Sequence, residues 1–263
     1  SIGVQDFENI RNENCFYVDK TDFIKEWWEN KDSVTLITRP RRFGKTLNMS
    51  MLEYFFSNQY ANRGDLFEGL SIWEEEEYRI LQGTYPVISI TFASIKKSSF
   101  QETLRDMGKL MGSLYRANRF LLEGDFLAKV EKEYFLKISE NKMTEEDTDV
   151  LKNLSEYLNC YYKKKVIILL DEYDTPMQEA YVNGYWNEMV SFTRGLFNST
   201  FKTNPHLYRA LMTGITRVSK ESIFSDFNNV EVVTTSSKKY MTAFGFTEQE
   251  VFEALEQYNL GEK

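Results

Sequence analysis

Five short apolar runs punctuate the chain: VTLIT (Val34 to Thr38), VISITF (Val87 to Phe92), VIILL (Val166 to Leu170), YRALMTG (Tyr208 to Gly214) and VEVVTT (Val230 to Thr235). Rich in β-branched residues and near-continuously apolar, they have the pattern of strands in a parallel sheet covered on both faces. Between them, apolar residues recur at helical spacing over Leu47 to Phe56, Phe100 to Tyr115, Asp147 to Tyr162 and Tyr185 to Phe201. Strand and helix therefore alternate, which predicts an α/β fold with a doubly wound sheet. The long stretch between the second and third strands, RANRFLLEGDFLAKVEKEYFLKISENKMTEEDTDVL, is charged and helical in pattern, so it is expected to add helices to one side of the sheet. Near the end, GFTEQEV places Thr247 as an N-cap with Glu250 three residues on, the spacing of a capping box. With no repeat or low-complexity linker, the expected organisation is one domain over 1–246 and the start of a further helical region over 247–263.

Composition narrows the class. The 263 residues are 42% hydrophobic and 15% aromatic, enough for a sizeable core, and the net charge is −8. That acidic balance disfavours nucleic-acid binding by this chain, although it leaves room for a local basic groove. Lys163 to Lys165 precede an apolar strand and read as its solvated entrance, and Glu74 to Glu77 as a solvent-facing helix start. Two distant cysteines, Cys15 and Cys160, give neither a disulfide framework nor a zinc motif and fit a reducing cytoplasm. The single histidine, His206, lies before a strand and is expected to be structural. No apolar run is long enough for a bilayer, so the chain is read as cytoplasmic and without a membrane partner.

The first candidate chemistry lies in TLITRPRRFGKTLNMS, Thr35 to Ser50. An apolar strand, then Gly44, Lys45 and Thr46, then a helix is the arrangement of a phosphate loop. Backbone N–H groups and a lysine meet the phosphates, and a Ser or Thr hydroxyl joins a Mg²⁺ shell. The usual pattern, G-x-x-x-x-G-K-(S/T), has glycine where this chain has Arg39. Position 39 must then avoid positive φ, and Pro40 biases it towards extended backbone. Arg39, Arg41 and Arg42 either add charge near the phosphates, grip neighbouring acids, or form a solvated basic loop.

The second is KKKVIILLDEYDTP, in which an apolar strand ends in Asp171 and Glu172. This is the Walker B arrangement: Asp171 holds Mg²⁺ and Glu172 polarises the attacking water. The plainer alternative is an acidic strand end, with Asp174 and Pro176 forming a turn. An extra strand between the two motifs, together with the glutamate after Asp171, indicates a P-loop NTPase of the ASCE division, with expected sheet order 5-1-4-3-2. The fourth strand runs into MTGITRVSK, whose carboxyl end should face the ligand. There Thr213 is either a γ-phosphate sensor or a buried strand hydroxyl, and Arg217 either a transition-state cation or a surface charge.

Taken together, FYVDKTDFI, LITRPRRFGKTLNMSML, LFEGLSI, YPVISITF, VIILLDEYDTP, LMTGITRVSKESIFSDFNNV and FGFTEQEV resemble the bacterial AAA-ATPase-like family, whose loop reads RPRRFGK followed by Ser or Thr. On that resemblance the missing glycine is the family's own variant. It implies ATP and Mg²⁺ as ligands and, in many such proteins, a following helical region and a PD-(D/E)XK nuclease-like domain. It also implies that FYVDKT borders the adenine or braces the loop. Phe16 and Tyr17 have rings suited to stacking on a base, while Asp19 and Thr21 suit a helix cap.

The expected function is Mg²⁺-dependent ATP binding and hydrolysis that drives or gates a downstream domain. Lys45, with Arg41, Arg42, Phe43, Gly44, Thr46, Leu47, Thr213 and Tyr17, surrounds the nucleotide; Thr46 and Asp171 hold the metal; Glu172 and Arg217 complete the chemistry. Two rivals stand beside it: a nucleotide-gated switch with negligible turnover, and a DNA-binding part of a nuclease-associated protein. Whether the chain is a homo-oligomer, and whether Arg217 acts within its own subunit, is left open by the sequence.

Overall fold

The computed structural model describes residues 5–216, 223–224 and 228–257. In chain order its principal elements are α1 (Phe7–Asn12), α2 (Asp22–Asn30), β1 (Val34–Thr38), α3 (Lys45–Phe56), α4 (Glu76–Leu81), β2 (Val87–Thr91), α5 (Phe100–Ala117), α6 (Lys129–Ser139), α7 (Val150–Tyr162), β3 (Val166–Asp171), α8 (Thr175–Asn183), α9 (Trp186–Phe197), β4 (Leu207–Gly214), β5 (Val230–Val233) and α10 (Glu248–Gln257). The strands form one five-stranded parallel sheet in the order β2-β3-β4-β1-β5, the expected order read from the other edge. Val87 to Thr91 pair with Ile167 to Asp171, and β3 pairs with β4 after an irregularity at Val166/Ile167. β1 and β3 are buried at every position, in keeping with their near-continuous apolar sequence.

The helix expectations hold with two adjustments. α7 starts at Val150 rather than Asp147, because the Asp147 carboxylate is engaged just upstream by the backbone N–H of Thr144 (2.7 Å) and by Lys137 (2.7 Å). The expected helix through Phe201 ends as α at Phe197 and continues as a π turn over Asn198–Lys202. Lys164 is not simply solvated: its ammonium sits 3.8 Å from the centre of the Tyr85 ring, and burial lowers its pKa. His206 is structural, with Nδ1 2.9 Å from the amide nitrogen of Asn159.

Two compact units divide the chain, one of Ser1–Lys31, Ile37–Thr84 and Val233–Lys263, the other of Asp32–Leu36 and Tyr85–Val232. In the first, the loop unit, aromatic packing dominates. Phe7 stacks on Phe67 at 5.2 Å, Phe55 meets Phe67 edge-on at 5.2 Å and Trp27 meets Phe56 at 5.6 Å. Each such fully buried ring contributes about 1.5–3 kcal/mol over leaving it exposed. The capping box of α10 is present: Thr247 N–H donates to Glu250 Oε2 (2.7 Å) and Glu250 N–H to Thr247 Oγ1 (3.3 Å). In the second, the sheet unit, Tyr115 of α5 packs on Phe135 of α6 (4.8 Å) and donates its hydroxyl to Val150 O (2.7 Å), which fixes the start of α7.

Candidate functional site: a phosphate loop and an acidic strand end

In the loop unit, six residues after β1 lead into α3. Gly44 is the helix N-cap at φ 75°, and Arg42 also takes a left-handed conformation, φ 68°. The turn that a glycine at position 39 would have eased is thus made three residues later. Arg39 itself is 5% exposed. Its Nη1 donates to Thr38 O (3.1 Å) and Val233 O (3.3 Å), and its guanidinium lies 5.6 Å from the Phe244 ring centre. Burial lowers its pKa. Arg39 is therefore not a solvated charge, and among the described residues it pairs with no acid; it ties the loop entry to the end of β5. Arg41 and Arg42 are exposed.

Lys45, in the first turn of α3, is buried, and its Nζ donates to Arg39 O (2.9 Å) and Pro40 O (2.8 Å). The loop is curled around its own ammonium. Thr46 and Leu47 follow, both half-buried. Beside them opens a cavity of about 160 Å³, lined among others by Phe16, Tyr17, Arg42, Phe43, Gly44 and Phe246. Phe16 and Phe246 are 44% and 69% exposed, so the mouth is rimmed by aromatic surface.

One wall of the cavity comes from residues 243–246, which sequence reasoning missed. Gly245 N–H donates to Phe43 O (3.1 Å), Asn48 Nδ2 to Ala243 O (2.7 Å), and Lys20 Nζ to Thr242 O (2.7 Å) and Glu250 Oε1 (2.5 Å). Gly245 has φ 77°, and a Cβ there would come within 3.0 Å of the Phe43 ring. Tyr17 lines the cavity with its ring, while its hydroxyl accepts from Lys20 N–H (3.3 Å) and reaches Met51 Sδ (3.4 Å); burial pushes the phenol pKa well up. Asp19 and Thr21 are structural, since Asp19 accepts from Thr21 N–H and Oγ1 and from Ser71 N–H at 2.7–2.8 Å.

In the sheet unit, Asp171 is the last residue of β3 and is 4% exposed. Its Oδ1 accepts the hydroxyl hydrogen of Thr213 from neighbouring β4. Thr213 is thus a buried strand hydroxyl, and one that engages the Asp171 carboxylate. Glu172 leaves the strand at φ 51°, and its Oε2 accepts from Thr175 Oγ1 (3.0 Å) at the start of α8. Arg217 lies outside the described residues.

A Gly-Lys-Thr loop between a buried strand and a helix, in a five-stranded parallel sheet, defines the class of nucleotide-binding P-loop folds. The chain belongs to the AAA-ATPase-like family: the family described as "Predicted AAA-ATPase" matches residues 1–224. It is also 26% identical over 252 residues to an "Uncharacterized protein in vnfD 5'region" of Azotobacter chroococcum mcd 1, an alignment covering 95% of this chain and 43% of that protein. The chain therefore spans less than half of that relative's length. No solved structure matches it. Among the described residues no helix is long and apolar enough to cross a membrane.

Proposed function

We propose that the chain is a Mg²⁺-dependent nucleoside triphosphatase of the ASCE type, acting on ATP. The observation that carries the reading is Lys45: a buried lysine whose ammonium donates to two carbonyls of its own loop, one residue beyond a glycine that lines a cavity. Phosphate oxygens would replace those carbonyls as stronger, charge-assisted acceptors.

In this reading Lys45, the loop N–H groups and the exposed Arg41 and Arg42 hold the phosphates. Phe43, Gly44, Leu47 and Tyr17 border the nucleoside. The hydroxyl of Thr46 and the carboxylate of Asp171 supply hard oxygen donors, which suit Mg²⁺. When bound, that ion offsets charge on the phosphate oxygens. Thr213 holds Oδ1 of Asp171 and so sets the orientation of that carboxylate. Glu172 takes the proton of the attacking water on its carboxylate, once that group has left the Thr175 hydroxyl. Arg217 offsets charge developing in the transition state.

We further propose that the nucleotide state gates a downstream domain, with a nuclease-like domain the candidate partner; the greater length of the relative is compatible with such a domain. We read the chain as cytoplasmic, and the two thiols Cys15 and Cys160 suit a reducing compartment. The −8 charge argues against nucleic acid binding by this chain itself.

A second reading, a switch that binds ATP with negligible turnover, is favoured by the Thr175 hydrogen bond that occupies Glu172. Glu172→Gln separates the two. If Glu172 is the base, the variant keeps Mg-ATP affinity and loses roughly 10²-fold or more in turnover; equal turnover in both proteins removes the residue from that role.

A further inference from the structure

The DEYD sequence continues past the two carboxylates that the hydrolytic reading uses. Asp174 is 1% exposed, yet among the described residues it forms no ion pair. Its Oδ2 instead accepts four hydrogen bonds: from the backbone N–H of Ile215 (3.1 Å) and of Thr216 (2.8 Å), from Thr216 Oγ1 (2.7 Å) and from Gln178 Nε2 (2.8 Å). Three of the four come from the two residues that follow β4. Tyr173 completes the grip, because its hydroxyl donates to Thr216 O (2.9 Å) and its N–H to Thr213 O (3.0 Å). Every polar group of Thr216 is therefore held by adjacent residues of one motif.

Gly214 is part of the same device, for reasons of space. A Cβ there would stand 2.6 Å from the Tyr173 ring and 2.8 Å from Asp174 Oδ1. Among the described residues that buried Oδ1 has no hydrogen-bond partner, and it presses against the backbone it helps to place. A carboxylate left with one bare oxygen is a costly arrangement, and the other oxygen's four donors are what hold it.

We infer that Asp174, assisted by Tyr173, is a positioning residue that fixes the exit of β4, residues 215–216, relative to the Asp171–Thr213 pair. The inference rests on the hydrolytic reading, in which Thr213 orients Asp171 and the chain after Thr216 leads in sequence to Arg217. Asp174 touches no reacting atom. It acts through the backbone it grips, so its loss should lower kcat and leave nucleotide affinity, which the loop unit sets, nearly unchanged.

The test compares Asp174→Ala and Asp174→Asn by steady-state Mg-ATP turnover, Mg-ATP affinity and amide hydrogen exchange at residues 215 and 216. Asp174→Ala should cost kcat roughly 10²-fold, the scale of a misplaced catalytic group, with affinity changed less than about threefold and faster exchange at both amides. Asp174→Asn, which keeps an oxygen acceptor, should recover most of both losses. Tyr173→Phe, which deletes only a hydroxyl, should move kcat and exchange the same way by a smaller factor and serves if the alanine variant does not fold. Unchanged kcat in Asp174→Ala, or an asparagine variant no better than alanine, overturns the positioning role while wild-type turnover leaves the hydrolytic reading standing. A wild type that binds Mg-ATP without turnover sinks both, and is told apart by that observation.

Discussion

Thr213 donates its hydroxyl hydrogen to Oδ1 of Asp171, joining side chains 42 residues apart that the parallel pairing of β3 and β4 sets side by side. Both groups are buried, so neither finds water as a substitute partner. Thr213→Val should cost about 1–3 kcal/mol of stability, seen in urea unfolding, and lower Mg-ATP turnover by about tenfold or more. Thr213→Ser should preserve both. A valine variant with parental stability and turnover would show that the bond matters to neither.

Arg39 is the residue that makes the loop look aberrant, and its buried guanidinium predicts that restoring the glycine will harm the protein. Arg39→Gly leaves the carbonyls of Thr38 and Val233 without their donor and strips the Phe244 ring of its cation. The expected loss is about 1–3 kcal/mol for the unsatisfied groups plus about 0.5–1 kcal/mol for glycine's added freedom. Chemical denaturation should show it, and a variant as stable as the parent would contradict the structural role.

Arg42 makes the opposite prediction, because a non-glycine residue at φ 68° is strained. The left-handed conformation costs an L-residue about 1–2 kcal/mol, against which glycine's entropy of about 0.5–1 kcal/mol is set. Arg42→Gly should therefore raise the melting temperature slightly or leave it unchanged, whereas β-branched Arg42→Val should lower it. Equal tolerance of glycine and valine would mean the loop does not hold this conformation in solution.

The wall of the cavity should loosen in acid. For Glu250 burial acts to raise the pKa, but the hydrogen bonds from Lys20 and the Thr247 backbone outweigh it, and the net value lies below the ordinary 4.5. A carboxyl lowered on folding adds stability that is complete above pH 4.5 and is lost as pH falls through the folded value. Exchange of α10 amides, corrected for intrinsic rates, should thus accelerate below about pH 4.5 in the parent. In Lys20→Met it should already be fast at neutral pH and change little in acid. A parent with pH-independent protection would dissociate this ion pair from the wall.

What the sequence disclosed and what it hid divide along physical lines. β1 and β3 were legible because strands buried on both faces are nearly continuously apolar, and the Thr247–Glu250 box because capping is local. Asp171 stood out in the sequence as a candidate because a carboxylate ending such a strand is distinctive, and it does end β3. Arg42 was not legible as the turning point, since arginine carries no signal for positive φ. Nor was the wall at Ala243 to Phe246, whose contacts to Phe43 and Asn48 depend on residues about 200 positions away. Gly214 and Asp174 were hidden for the same reason: crowding and hydrogen bonding between neighbouring strand ends leave no periodic trace.

The central claim is that Lys45 and its loop bind the phosphates of Mg-ATP for hydrolysis. The direct measurement is Mg-ATP binding by calorimetry together with phosphate release, on the parent chain and on Lys45→Ala. The account predicts binding and multiple turnover in the parent, with affinity reduced in the variant by roughly tenfold to a hundredfold, the worth of a charge-assisted hydrogen bond of about 1.5–3 kcal/mol, and turnover abolished. Binding and turnover that survive unchanged in Lys45→Ala, or a parent that binds no Mg-ATP, would contradict it.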